Sequence, residues 1–349
     1  MRTPRTLALT LLALIGLTSL LVGCGSDDPS NTGGSKGGTD TPKLVLYSGR
    51  TEDLVGPLLE QFTADTGIEV EVRYGNSAEM GAQLFEEGGD TPADVFLSQE
   101  VGALGVLEQA DLLAPLPDAT VELVDERYRP GDSNAWVGVT GRARVIAYNP
   151  GMVDQVPAGV LELTDPAYEG MVAWAPSNAS FQSFITAFRV TKGEDAAQAW
   201  LEAMIENGAE SFESNVEILE AVNAGDVAMG LINHYYWAQA LPELGDELVT
   251  ELVFPKGDDP GGLVNAAAVG ITTNGADNTA SQAFVDYLMS EKGQTYFVEN
   301  TFEYPLVAGI PQPEGVPPLA ELQGPEIDLT DLESLEETQA MLTDLGLLG

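Results

Sequence analysis

The sequence predicts an α/β fold of two lobes, each a mostly parallel sheet flanked by helices, with a hinge between them. Three observations lead there. Beyond residue 43, short apolar runs with strand character alternate with helical spacing, the signature of a doubly wound sheet. Two strand-like runs, 136–140 and 144–148, flank Gly141-Arg142 and read as a crossing between lobes. The chain beyond its leader, roughly 300 residues without an internal repeat, exceeds one ordinary domain.

The elements follow in order. Leu44-Val45-Leu46-Tyr47 is the first strand, with Ser48-Gly49-Arg50-Thr51 as its turn. Residues 52–66 place Leu54, Leu58, Leu59 and Phe62 at helical spacing, and Gly67 closes that helix. Residues 68–74 alternate as a strand and 78–87 form a helix. Asp94-Val95-Phe96-Leu97 is the third strand, Ser98-Gln99-Glu100 its turn, and 101–109 the next helix, ended by Asp111 and the Pro115/Pro117 pair. Ligands of such sheets bind beyond the carboxyl ends of strands, so the turns at 48–51 and 98–100 are candidate walls of a site. After the crossing comes strand 171–175, then Pro176-Ser177-Asn178-Ala179-Ser180 and helix 181–190. Ser and Asn opening a helix serve as an N-cap or as an anion site. Helices 196–206 and 215–224 precede strand 227–232. Strand 264–272 returns to the first lobe, helices 278–291 and 293–299 follow, and 329–345 is a terminal helix with an acidic face. The expected divisions are 1–23 leader, 24–42 tether, 43–140 with about 263–305 as one lobe, and about 141–262 with 306–349 as the other.

The first residues set the compartment. Arg2 and Arg5 precede an apolar run over 7–22, a signal peptide rather than a membrane span. Leu21-Val22-Gly23-Cys24 resembles a bacterial lipobox, and Cys24 is the one cysteine of the chain. The expectation is cleavage before Cys24, a lipid on its thiol, and a protein displayed outside the cell membrane on a Gly/Ser/Asp/Thr-rich stalk. With 14 Lys+Arg against 55 Asp+Glu, the net charge of −41 makes nucleic acid an implausible partner. Surface acidity of this kind serves solubility.

The residues richest in chemistry are Leu231-Ile232-Asn233-His234-Tyr235-Tyr236-Trp237. Neighbouring side chains on a strand point to opposite faces, so two adjacent tyrosines cannot grip one ion from a strand. At a strand-to-helix joint they can, and the positive end of the helix favours phenolates there. Fe(III), a hard cation that prefers anionic oxygen, can displace the phenolic proton, whose pKa is about 10 in the free side chain. The same cluster also suits a core or a ring-stacking surface.

Together these residues resemble the ferric-iron-binding substrate-binding proteins of ABC importers, which have the type II periplasmic-binding fold. The resemblance rests on Tyr47-Ser48-Gly49, Pro92-Ala93-Asp94-Val95-Phe96, Thr140-Gly141-Arg142-Ala143-Arg144-Val145, Ala175-Pro176-Ser177-Asn178-Ala179, the run from Leu231 to Trp237, and Glu303-Tyr304-Pro305-Leu306. It implies that Tyr235 and Tyr236 bind Fe(III). It implies that Arg142, with Ser177, Asn178, Ala179 and Ser180, holds a synergistic phosphate or carbonate. Asn215 and Asn233 match positions behind the ligands, and His234 is expected there too. Two family ligands do not carry over. Thr51 stands where some members have histidine, and Gln99 where some have glutamate, with Glu100 adjacent as a substitute ligand. The resemblance further implies an ABC permease as partner, a monomer and no catalysis.

The runner-up keeps the fold and changes the ligand to thiamine, a polyamine or an organophosphate, stacked on Tyr-Tyr-Trp. An exported enzyme is a poorer fit. The sequence has no His-Glu-x-x-His, and its single histidine leaves few nucleophile–base arrangements.

Overall fold

The computed structural model describes residues 42–131 and 133–348. The leader, the lipobox with Cys24, and all of the expected tether but residue 42 lie outside the described residues. Eleven strands are present among the described residues: β1 Lys43–Ser48, β2 Glu69–Tyr74, β3 Val95–Ser98, β4 Leu113–Ala114, β5 Val137–Tyr148, β6 Val172–Trp174, β7 Glu210–Ser211, β8 Met229–Asn233, β9 Glu251–Val253, β10 Val264–Thr272 and β11 Tyr304–Pro305. They follow one hydrogen-bonded path, β2-β1-β3-β10-β5-β8-β6-β7, with β4, β9 and β11 on its margins. Each end of the path is parallel, β2-β1-β3 in one sheet and β8-β6-β7 in the other. The middle is antiparallel, where β10 pairs with β3 and β5, and β5 with β8.

Strand β5 serves both sheets. Up to Ala143 it pairs with β10, where Val264 lies opposite Ala143; from Arg144 onward it pairs with β8, where Asn233 lies opposite Arg144. Sequence reading placed two strands here, interrupted at Gly141-Arg142. The structure has one, because Gly141 is held in the ladder from both sides, by Ala266 of β10 and Tyr304 of β11. A side chain at Gly141 would meet Leu306 at 3.2 Å, so the glycine permits close packing rather than a turn.

Burial follows the strand period of two. Ile146 of β5 packs with Trp174, Phe184 and Trp200 on one face of the second sheet; Val145 and Ala147 pack with Ile218 and Val222 on the other. The first sheet has its own core around Leu44, Leu46, Phe62, Phe96 and Phe284. Each such side chain, once buried, stabilises the fold by about 1.5–3 kcal/mol.

Two helical expectations change. The stretch 329–345 is a 3-10 turn, Leu329–Glu333, then a helix, Leu335–Asp344. Leu329 and Leu332 pack into the first core and Leu342 into the second, so the chain changes partner at Ser334. The helix expected over 293–299 ends at Tyr296 and continues as a π turn, Phe297–Thr301, closed by Phe302 in the left-handed region at φ 57°.

Candidate functional site

One device builds the first-sheet side of the site twice. Strands β1 and β3 each end in a serine, Ser48 and Ser98. Each hydroxyl donates to the carbonyl two residues on, at 2.8 and 2.6 Å, and accepts that residue's N–H, at 3.1 and 3.3 Å. These turns carry Arg50 and Glu100 inward. Gly49 leaves the room, since a Cβ there would lie 2.2 Å from the hydroxyl of Ser77, which accepts the N–H of Gln99.

Both inward charges are answered, Arg50 by Glu303 and Glu100 by Arg142 of β5, on whose one face Thr140, Arg142 and Arg144 alternate. Arg50 makes a two-pronged pair with Glu303 at 3.0 and 2.8 Å, and Thr140 donates to the same carboxylate at 2.6 Å. Arg142 Nη2 donates to Glu100 Oε1 at 3.0 Å and to the carbonyl of Gln99. The other oxygen of Glu100 accepts from Asn265, and the carboxylate also bonds Ser183 of the helix Ala179–Lys192. Burial pushes the Glu100 carboxyl up, and Arg142 offsets this only in part. Burial likewise opposes the charges of Arg142 and Glu303. In both the opposite charges win: Glu100 and Glu303 raise Arg142, while Arg50 and Arg142 hold Glu303 low.

Arg144 is different. It is 3% exposed and has no carboxylate partner among the described residues. Nη2 donates to the carbonyl of Leu231 at 2.9 Å, and Nη1 reaches Ser180 Oγ, Asn215 Oδ1 and Asn233 Oδ1 at 3.2, 3.4 and 3.5 Å. Its Nε has no partner, and its guanidinium sits against Phe181 and Phe184, 5.7 and 5.8 Å from the ring centres. Burial lowers its pKa to about 10, and Tyr235 and Tyr236 work against that shift. Glu100, Arg142, Arg144, Ser180, Ser183, Asn233 and Asn265 line one small pocket.

The tyrosine pair stands where the sequence placed it. Strand β8 ends at Asn233, and the helix His234–Leu244 begins at once. Asn233 gives no side-chain cap, because its amide oxygen is turned to Arg144, so the positive end of the helix stays open beside the phenols. The rings of Tyr235 and Tyr236 lie 4.4 Å apart at 36°, both half-buried. Burial, then Tyr236, pushes the Tyr235 phenol well above its ordinary range, against the pull of Arg142. Trp237 is anchored away, its Nε1 donating to the carbonyl of Thr250 at 2.7 Å.

The remaining predicted residues divide. Asn178 caps the helix Ala179–Lys192, accepting from the N–H and hydroxyl of Ser180 at 3.0 and 2.6 Å. Ser177 and Ala179 are exposed beside it. Asn215 donates to Ser180 Oγ at 3.4 Å, which joins the second-sheet group around Arg144. Thr51 is exposed at the N-cap of the helix Glu52–Thr66 and makes no side-chain capping bond. His234 turns away from the pocket toward β5 and β11, stacked on Tyr304 at 4.3 Å. Burial lowers its pKa to about 4. Arg142 was expected to hold an anion, and its charge is instead answered by Glu100, although its Nε and Nη1 keep no partner. Sequence reasoning gave no role to Arg144. The signal was available in strand alternation, which puts residues 142 and 144 on the same face.

The chain matches the family described as bacterial extracellular solute-binding protein over residues 90–324. It is 36% identical over 309 residues to the Fe(3+)-binding periplasmic protein of Serratia marcescens, covering 87% of this chain and 90% of that protein. It is 30% identical over 308 residues to the major ferric iron-binding protein of Neisseria meningitidis serogroup B, covering 87% and 93%. Among solved structures it resembles iron-bound HitA from Pseudomonas aeruginosa, with a TM-score of 0.79, 32% identity, and coverage of 88% of this chain and 100% of that one. It also resembles the Trichodesmium IdiA/FutA protein in complex with iron and citrate, with a TM-score of 0.73, 26% identity, and coverage of 88% and 100%.

Proposed function

This chain belongs to the bacterial extracellular solute-binding protein family, and from that premise we propose a receptor that captures Fe(III) with a synergistic anion between two lobes and delivers it to an ABC permease. The observation that carries the reading is the tyrosine pair at an open helix start, beside a buried arginine with no carboxylate partner among the described residues. Tyr235 and Tyr236 supply two phenolates. The ferric-binding relatives and neighbours support the ion.

The anion is assigned chiefly to Arg144, with Ser180, Asn215 and Asn233 around it. Arg142 keeps Nε and Nη1 as further donors, and Ser177, Asn178 and Ala179 open the helix that carries Ser180 into the pocket. Charge decides the class. Fe(III) with two phenolates keeps one positive charge and Arg144 adds another, so a dianion such as carbonate or hydrogen phosphate brings the buried site near neutrality. On the first-sheet side Glu100 is already paired and Thr51 and Gln99 are neutral. The anion and water therefore complete the iron shell, unless Glu100 or Gln99 turns to the metal in the loaded state.

In this reading one lobe holds 43–140 with about 263–305 and the other about 141–262, as expected, but the hinge falls at 143–144 and the terminal segment is shared: Leu306, Leu329 and Leu332 pack with the first lobe and the helix Leu335–Asp344 with the second. The lobes close by a hinge motion around the ligand and open at the permease, so affinity depends on the state of the hinge. A lipid on Cys24 keeps the receptor, a monomer, at the membrane. No catalytic step is involved. Visible absorption during titration with ferric citrate, with and without bicarbonate or phosphate, tests the core of the proposal. A saturable phenolate-to-iron band at one iron per protein, strengthened by the anion, is the expected result. A colourless protein that retains no iron would overturn it.

A further inference from the structure

The one histidine of the chain directly precedes the tyrosine pair, and the receptor reading leaves it without a role. It is 0% exposed. Its Nδ1 lies 3.2 Å from the backbone N–H of Ala143, which can only donate, so Nδ1 carries no proton. Its Nε2 lies 3.1 Å from the carbonyl of Phe302, which can only accept, so Nε2 carries the proton. The tautomer is thereby fixed, and both nitrogens are used up. The ring stacks on Tyr304 at 4.3 Å and 19°, and meets Tyr235 edge-on at 5.9 Å.

The two bonded backbone groups sit at the joints of the fold. Ala143 is the last residue of β5 paired with β10, and Arg144, next in the chain, is the first paired with β8. Phe302 ends the π turn in a left-handed conformation and leads into Glu303, whose carboxylate is fixed by Arg50 and Thr140 of the first-sheet side. His234 therefore holds both the strand that passes between the sheets and the segment that returns beside it, from the first turn of the helix carrying Tyr235 and Tyr236.

We infer that His234 is a positioning residue: a strut that makes the hinge geometry and the orientation of the two phenols a single movement. Rotation of β5 about 143–144 displaces the Ala143 N–H, and the imidazole passes that displacement to the next residue, Tyr235. Opening the lobes then loosens the phenolate grip without a separate trigger. The inference rests on the ferric reading.

Two measurements test it. As the sole histidine, His234 gives single ring-nitrogen NMR signals in the isotopically labelled protein. Loading with Ga(III) and carbonate, a diamagnetic stand-in for Fe(III), is expected to sharpen and shift these signals and to slow exchange of the Nε2 proton relative to the unloaded protein. Identical signals and exchange in both forms would overturn the strut. The second measurement uses His234→Phe, which keeps a stacking ring and loses both bonds, and His234→Asn. Each is expected to retain the phenolate–iron band but to lose iron to a competing chelator about tenfold faster, in keeping with the loss of one or two neutral hydrogen bonds. A folded variant releasing iron at the wild-type rate would overturn the inference; if neither variant folds, the NMR comparison on the unmodified protein decides. Absence of any band in the unmodified protein would instead remove the ferric reading, and the strut with it.

Discussion

The first-sheet side of the pocket brings in two charges, Arg50 and Glu100, and answers both within the protein, through Glu303 and Arg142. The second-sheet side brings in Arg144 and surrounds it only with neutral oxygens, from Ser180, Asn215, Asn233 and the carbonyl of Leu231. Taking a charge out of water without a partner is costly, so such a charge persists where something else answers it. The difference is what the proposed function rests on: in that proposal the closed pairs of one side are scaffold, and the open charge next to two phenols is the binding surface. Arg142 and Arg144 share a residue type, a strand and a face, and only their partners separate them.

The comparison breaks most visibly if the phenols are removed. Replacing Tyr235 and Tyr236 together by Phe is expected to abolish the coloured band and to weaken iron binding by at least about a hundredfold, near 3 kcal/mol at about 1.4 kcal/mol per tenfold. Chelator competition measures the loss, and circular dichroism should show an unchanged fold. Unchanged affinity would remove the metal reading. The closed side predicts a different failure. Glu303→Ala leaves Arg50 buried and unpaired, and such a loss costs about 3–5 kcal/mol of folding stability. Denaturant unfolding of the iron-free protein reads it, and a midpoint at the wild-type value would show that the pair is not scaffold.

The two arginines can be set directly against each other. Arg144→Met is expected to lower iron affinity in carbonate about tenfold or more, the worth of a hydrogen bond to a charged group, and to remove the dependence on the anion. Arg142→Met is expected to keep the anion dependence while losing stability, because Glu100 is then buried without its cation. Titrations at several carbonate concentrations separate the two outcomes, and the reverse pattern would return the anion to Arg142.

Much of this is legible in the sequence. The helices Glu52–Thr66, Val101–Gln109 and Asn215–Ala224 keep the bounds their apolar spacing predicts, since burial alone sets that spacing. The tyrosine joint was legible as well, because a strand that ends in an aromatic cluster has one local geometry that brings adjacent side chains together. What escaped has physical causes. Strands such as Glu210–Ser211 and Tyr304–Pro305 are too short to show a period. The central strand β5 hides its alternation, because the residues it turns toward the site, Thr140, Arg142 and Arg144, are polar and read as a break. Which arginine stays open depends on Glu100, Asn265 and Glu303, residues far apart in the chain, and no local pattern reports that.

The smallest expected effect sharpens the comparison from the other direction. Gln99 stands on the first-sheet side with a neutral side chain, its backbone fixed by the Ser77 hydroxyl and by Arg142. Gln99→Glu keeps that backbone and adds one carboxylate beside the pocket. If the first side lacks only an available anionic oxygen, the variant should bind iron several-fold more tightly, within the roughly tenfold that one charge-assisted contact supplies. It should also depend less on added carbonate, because the protein now provides negative charge that the anion brought before. Titration with and without carbonate reads both. Tighter binding with unchanged anion dependence would place the new carboxylate apart from the anion, and unchanged binding would show that the geometry of this side, rather than its charge, keeps it from the metal.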